Sequence, residues 1–275
     1  MTIDLFNVPG SESEPPADVP PLLSEHAMQA LEHVDSGALA EFRSVRDEFT
    51  RFLMPYKFGI HEITTKIEIL REEFTQLGDY NPIEHVASRL KTPDGVMQKM
   101  VRKGCEPTFE AIREAVTDIA GVRVICSFVS DVYRVFELLT TQTDVRVLEV
   151  KDYIAHPKDN GYKSLHVILE VPVFLSDGPT PVVVEVQFRT VAMDFWASLE
   201  HKIYYKYDRA VPQELLNGLR DAAETASRLD TTMEWLHTEI RGSERGTTIH
   251  RSSDTLPRDG WTVRGAVGNA GDTAQ

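Results

Sequence analysis

The segment Val182-Val-Val-Glu-Val-Gln-Phe-Arg189 sets three polar side chains at alternate positions. Successive side chains of an extended strand point to opposite faces, so Val182, Val184, Val186 and Phe188 share one face and Glu185, Gln187 and Arg189 the other. A carboxylate, an amide and a guanidinium aimed from one rigid strand can form a polar site. The same alternation also describes an ordinary half-exposed strand. A second string, Asp118-Ile-Ala-Gly-Val-Arg123, puts a carboxylate at what reads as a helix end, just before a buried strand. Gly121 permits a tight turn or the close approach of a ligand, and Arg123, a charge in an apolar run, needs a partner. Asp118 and Glu185 on neighbouring elements could share one Mg2+ with nucleotide phosphates, because that ion prefers hard oxygen ligands.

A third segment, Lys151 to His166, gathers Lys151, Lys158, Lys163, His156 and His166 around Tyr153 and Tyr162. Cations hold phosphates and an aromatic face stacks a base. Asn160-Gly161 is a turn signal, so a solvated loop is the competing reading. The string Ser88-Arg89-Leu90-Lys91-Thr92-Pro93, followed by Lys99, Arg102 and Lys103, reads on its own as a solvated basic patch. The chain has no Walker phosphate loop and no GxGxxG fingerprint.

These groups sit in a 275-residue chain with 29 basic and 43 acidic side chains, a net charge of −14. Such a surface repels nucleic-acid backbones and excludes general binding to them, so a small anionic substrate must meet locally concentrated cations. The 41% of hydrophobic residues suffices for a sizeable core. The start of the chain lacks the basic and apolar pattern of a signal peptide, and no run approaches the roughly 18 apolar residues that span a bilayer. Cys105 and Cys126 have no metal-type spacing, and Cys126 reads as a core thiol. The expected compartment is the cytoplasm.

The expected elements follow from periodicity. A helix is predicted over 36–54 and a second from Gly59, with Ile60, Ile63, Ile67, Leu70, Phe74 and Leu77 on one face. A short strand over 87–90 leads to a loop at Thr92-Pro93, and Pro107 opens a helix running to about residue 119. Strands are predicted over 122–128, 145–150, 165–171 and 182–188, with helices over 131–140, 190–205 and 212–240. In the last helix Leu215, Leu219, Ala222, Ala226, Leu229, Met233, Leu236 and Ile240 alternate in steps of four and three. That stripe suits either packing on its own domain or a subunit interface. The order predicts an α+β fold, a mixed β-sheet flanked by helices. Residues 1–22 and 242–275 read as disordered tails around a domain at 23–241.

Taken together and in order, six strings resemble the synthetase domain of RelA/SpoT-type (p)ppGpp synthetases, over roughly residues 36–240. They are Ser88-Arg-Leu-Lys91, Asp118-Ile-Ala-Gly-Val-Arg123, Lys151-Asp-Tyr-Ile154, Pro157-Lys-Asp-Asn-Gly-Tyr-Lys-Ser-Leu-His166, Glu185-Val-Gln-Phe-Arg189 and Met193-Asp-Phe-Trp-Ala-Ser-Leu-Glu-His-Lys202. The likeness is greatest to the short members, the small alarmone synthetases of the GTP pyrophosphokinase family. It implies a nucleotidyltransferase-like sheet and transfer of the β,γ-pyrophosphate of ATP to the 3′-hydroxyl of GDP or GTP, releasing AMP. By the same resemblance Asp118 and Glu185 bind Mg2+, and Glu185 also draws the hydroxyl proton. Arg89, Lys91, Lys99 and Arg123 would hold ATP, the two arginines flanking adenine. Tyr162 would stack on guanine, while Lys151, Lys158, Asn160, His166 and Gln187 would hold the rest of the acceptor.

The chain departs from the long bifunctional relatives. It contains no His-Asp dipeptide and no room for their hydrolase domain, so synthesis without hydrolysis is expected. Those relatives carry a basic residue where Glu149 stands here, which leaves the acceptor open among GMP, GDP and GTP. Short members form homotetramers, so a homo-oligomer is expected. Two other readings remain: another Mg2+-dependent nucleotidyltransferase, and a non-catalytic guanine-nucleotide sensor. The intact Asp118 and Glu185 argue against the sensor, because binding alone needs no metal-ligand pair.

Overall fold

A computed structural model describes residues 36–78, 80–205 and 212–244. The tails expected at 1–22 and 242–275 lie outside the described residues, except that 242–244 continue the last helix instead of opening a tail. The chain divides into two compact units, 1–49 and 50–275. The described part of the first is the helical stretch 36–49. The second holds the sheet and the site.

Helix α1 runs unbroken over Ser36–Leu77, with Pro55 inside it, where two helices were expected. Proline removes one intrahelical hydrogen bond. The apolar stripe nevertheless runs straight past it, since Phe52, Tyr56, Ile60, Ile63 and Ile67 are all buried. Burial of that face offsets the missing bond. Gly59 is a packing residue, not a break: a Cβ there would lie 2.7 Å from Cγ1 of Val182.

The remaining elements are β1 (Ile83–Leu90), α2 (Pro93–Lys103), α3 (Phe109–Ala115), β2 (Ala120–Cys126), α4 (Val129–Thr140), β3 (Arg146–Asp152), β4 (Leu165–Leu175), β5 (Gly178–Thr190), α5 (Val191–Tyr205) and α6 (Gln213–Glu244). Five strands form one sheet in the order β1-β2-β5-β4-β3. β2 and β5 run parallel and the other pairs antiparallel, so the sheet is mixed as expected. On its apolar face Val122, Val124, Val167, Leu169, Val184, Val186 and Phe188 are buried. Helix α4 contributes Val132, Val135 and Leu139 to the core, and Phe136 meets Phe188 edge-on with centroids 6.1 Å apart.

Two local expectations fail. Thr92-Pro93 starts helix α2 and not a loop. Thr92 Oγ1 accepts from Gly95 N at 3.2 Å, Pro93 occupies the first turn, and Gly104 ends the helix at φ 64°. Helix α3 is shorter than predicted: it ends at Ala115, and Asp118 lies in the turn before β2.

Only part of the apolar stripe of helix α6 turns inward. Leu219, Ala223 and Asp230 are buried, whereas Leu229, Met233 and Ile240 are 54%, 46% and 61% exposed. Trp196 of α5 joins Leu219 and Ala223 in a buried cluster, and its Nε1 donates to the Leu219 carbonyl at 2.9 Å. Among the described residues no helix is long and apolar enough to cross a membrane.

Candidate active site

Strand register builds the site on the sheet's polar face. Gly121 pairs with Arg89 on one side and Glu185 on the other, and Glu185 pairs in turn with Ile168. One step along, Arg123 pairs with Gln187, Gln187 with His166, and His166 with Lys151. Cross-strand partners point to the same face, so Arg89, Arg123, Glu185, Gln187, His166 and Lys151 project together. The Arg89 side chain lies over Gly121: a Cβ there would stand 3.3 Å from Arg89 Cγ, a tight contact that glycine avoids.

Glu185 borders two cavities. One of about 700 Å³ is lined by Lys99, Asp118, Lys151, Lys158, His166 and Glu185, among others. The other, of about 510 Å³, is lined by Ser88, Arg89, Gly121, Arg123, Glu185 and Gln187, among others. Two anionic ligands could therefore approach the same carboxylate from cationic walls on opposite sides.

Asp118 is held by two ammonium groups. Lys99 Nζ lies 2.6 Å and Lys91 Nζ 3.2 Å from Oδ2. Burial pushes this carboxyl up, but the two lysines outweigh it and hold it below the usual carboxylate range. Its Oδ1 is buried and has no hydrogen-bond partner among the described residues. Such an atom fits a metal ligand, since an unpaired buried acceptor is otherwise costly. No group of three His, Cys, Asp or Glu side chains able to hold a metal occurs among the described residues. A pair of carboxylates completed by phosphate oxygens is a normal donor set for Mg2+.

Glu185 belongs to a closed hydrogen-bonded ring. His166 Nδ1 lies 3.2 Å from Oε1, and Gln187 Nε2 donates to Oε2 at 2.9 Å. Arg189 Nη2 donates to Gln187 Oε1 at 3.0 Å and to the Tyr162 hydroxyl at 2.6 Å. The hydroxyl closes the ring against His166 Nε2 at 2.7 Å. The guanidinium only donates, so the hydroxyl accepts from it. Whichever ring nitrogen carries the hydrogen, His166 is held between the Tyr162 hydroxyl and the Glu185 carboxylate. Burial pushes the Glu185 carboxyl up, while His166 and Gln187 pull it further down, so it lies below its ordinary value. Both carboxylates are thus ionised at neutral pH.

Not every expected residue reaches a cavity. Lys91 binds Asp118 without lining either one, and Lys99 lines the larger cavity, away from the two arginines. Gln187 lines the smaller cavity beside Arg89 and Arg123. Asn160 donates to Glu200 Oε1 at 3.1 Å and accepts from Tyr162 N at 3.1 Å. Tyr162 is half-buried against the Trp196 cluster, with Lys158 Nζ 4.7 Å from its ring centroid. Neither Asn160 nor Tyr162 lines either of these two cavities. Lys163 points away from the cavities, to Ser227.

The sequence reading missed Asp194. Its Oδ1 lies 3.0 Å from Arg189 Nη1 and 3.2 Å from Arg123 Nη1, so it ties the polar ends of β2 and β5 together. The signal was available, since an acid in the first turn after a strand carrying a buried arginine is a natural partner. Lys103 and Tyr153 also line the larger cavity; Tyr153 reads from the sequence as one of two aromatics able to stack a base, and Lys103 only as part of a solvated basic patch.

A family model for the region found in RelA/SpoT proteins matches residues 88–210, the stretch that carries this site. GTP pyrophosphokinase YwaC of Bacillus subtilis is 46% identical over 200 residues, covering 73% of this chain and 95% of that protein. The chain belongs to the RelA/SpoT family. A second relative of this RelA/SpoT protein, GTP pyrophosphokinase YjbM of Bacillus subtilis, is 37% identical over 197 residues, covering 72% of this chain and 92% of that protein. The crystal structure of small alarmone synthetase 1 from Bacillus subtilis bound to its product pppGpp superposes with a TM-score of 0.64 at 38% identity, covering 71% of this chain and 97% of that one. The RelA/SpoT fold thus includes the mixed sheet and the flanking helices.

Proposed function

We propose that this RelA/SpoT protein is a GTP pyrophosphokinase that transfers the β,γ-pyrophosphate of ATP to the 3′-hydroxyl of GDP or GTP, making (p)ppGpp and releasing AMP. The observation that carries the reading is Glu185 standing between two cation-lined cavities on one rigid sheet face. Phosphoryl-type transfer asks chiefly for alignment and charge neutralisation, and a shared wall provides both.

ATP is assigned to the smaller cavity, with Arg89 and Arg123 flanking adenine. Lys91 and Lys99 hold Asp118 and supply positive charge beside its phosphates. The acceptor is assigned to the larger cavity, where Lys151, Lys158 and His166 meet its phosphates and ribose. Gln187 and Asn160 position the Glu185 ring and the loop behind it, and Tyr162 offers guanine its ring beyond Lys158. Glu185 takes the 3′-hydroxyl proton. Its hydrogen bonds to His166 and Gln187 fix the carboxylate toward the cleft. Asp118 Oδ1 and Glu185 would hold Mg2+, which when bound supplies charge neutralisation at the phosphates.

The protein acts as a homo-oligomer, a tetramer, in the cytoplasm. The exposed apolar residues of α6 support a contact between copies, because Leu229, Met233 and Ile240 are left exposed by the described residues. Residues 23–241 form the synthetase domain, it carries no hydrolase activity, and GMP is an additional candidate acceptor.

Incubation of the protein with ATP, Mg2+ and GDP, followed by separation of nucleotides, tests the reading. A 3′-pyrophosphorylated guanine nucleotide with equimolar AMP is expected. Release of pyrophosphate would instead favour nucleotidyl transfer, and absence of turnover a sensor.

A further inference from the structure

Lys163 reads from the sequence as a cation for phosphate, yet its side chain turns away from both cavities. Its Nζ donates to Ser227 Oγ of helix α6 at 2.6 Å. Burial holds the Lys163 ammonium below its ordinary range, while Asp230 on the next turn of α6 pulls it back up. Asp230 is itself anchored, accepting from Thr190 Oγ1 at the end of β5 at 2.8 Å. This cation is a strut between the loop and the helix.

It is not alone. Arg220 Nε donates to the Asp159 carbonyl at 2.8 Å. Gly161, at φ 88°, sits so close to the helix that a Cβ there would lie 2.5 Å from the Cβ of Ala223. The odd-numbered residues Asp159, Gly161 and Lys163 thus meet Arg220, Ala223 and Ser227 in order. Of the even-numbered residues, Lys158 lines the larger cavity, while Tyr162 packs on the cluster of Trp196, Leu219 and Ala223 and reaches His166 with its hydroxyl. The loop is held by α6 at Asp159, Gly161 and Lys163 and presents Lys158 to the acceptor cavity.

We infer that helix α6 positions the acceptor-nucleotide loop, with Ser227 and Arg220 as positioning residues that act through Lys163 and the Asp159 carbonyl. The inference rests on the assignment of the larger cavity to the guanine nucleotide. It makes α6 a lever: displacement of the helix would be felt at Lys158 and Tyr162 before it reached Arg89 and Arg123.

The test is the full-length protein with Ser227→Ala, Arg220→Ala and the double change, compared with Ser227→Thr. KM and calorimetric Kd are measured for GDP and KM for ATP, together with the melting temperature. Each alanine change should weaken GDP about tenfold, the size of a lost hydrogen bond to a charged group or loop carbonyl, with ATP KM within about twofold of wild type. Ser227→Thr, which keeps the hydroxyl, should restore GDP affinity. The Arg220 contact is exposed, so Arg220→Ala reads the effect even where a change at Ser227 lowers folding yield. Unchanged GDP affinity in folded Arg220→Ala and Ser227→Ala, or GDP and ATP weakened alike, would overturn the inference while leaving turnover by the wild type intact. A wild type that binds GDP but makes no product would instead overturn the functional reading, and the GDP affinities would still decide the role of α6.

Discussion

The hydroxyl of Tyr162 lies 2.7 Å from Nε2 of His166, whose other ring nitrogen faces Glu185 at 3.2 Å. The aromatic assigned to guanine is thereby wired to the carboxylate assigned to the reaction. Removing the hydroxyl strips His166 Nε2 and Arg189 Nη2 of a shared partner in a half-buried setting.

Tyr162→Phe should therefore not behave as wild type, although it keeps the ring. Turnover is expected to fall about tenfold, because His166, which faces Glu185, loses the hydroxyl that holds its ring in place. Tyr162→Ala should in addition weaken the acceptor roughly five- to hundredfold, the worth of one base stacked on an aromatic, with ATP little changed. Steady-state kinetics with each nucleotide varied in turn checks both. A Tyr162→Phe protein with wild-type kcat would show that the ring of hydrogen bonds does not serve catalysis.

Asp118 sets part of the acid sensitivity of the fold. Its carboxyl is held below its ordinary value in the folded protein, against the upward push of burial, by Lys99 and Lys91. A group depressed on folding stabilises above its unfolded pKa, and that contribution is lost as pH falls through the folded value. Denaturant melts between pH 7 and pH 3 should thus show stability falling at the acid end, and Asp118→Asn should flatten that fall. An Asp118→Asn protein with the same acid slope as wild type would contradict the ion-pair account.

Much of this was legible in the sequence for a physical reason. Alternation in β5 depends only on strand geometry, so Glu185 and Gln187 were placed on one face from spacing alone. The mixed sheet followed from element order. Tertiary partners were not legible. Nothing local says that Lys163 points to Ser227, 64 positions away, or that Asp194 bridges Arg123 and Arg189. The gap predicted between residues 54 and 59 is absent because the buried stripe, which begins at Phe52 and Tyr56, carries one helix past Pro55 and overrides its propensity. Helix α2 was missed although Thr92, Pro93 and Gly104 carry its start and stop signals; the basic residues between them drew attention to charge over capping.

Removal of residues 1–22 and 245–275 should leave turnover at saturating substrate unchanged. The residues named in the two cavities all lie between Ala87 and Gln187, and the composition of the ends cannot bury a core. A folded but inactive protein spanning 23–244 would show that an end contributes to the site.

Purified protein given ppGpp and Mn2+ should release no pyrophosphate, because the paired His-Asp string of the long relatives is absent from the sequence. Release that follows the protein through successive purification steps would assign it a second activity.

The account turns on Glu185 as the carboxylate shared by both substrates, and kcat of Glu185→Gln tests it most directly. The amide keeps the shape and one hydrogen bond but loses the charge and the basicity. We predict a loss of at least about a hundredfold, the low end for a positioned acid or base, in a protein whose melting temperature stays near wild type. Near-wild-type turnover by the folded Glu185→Gln protein would contradict the account.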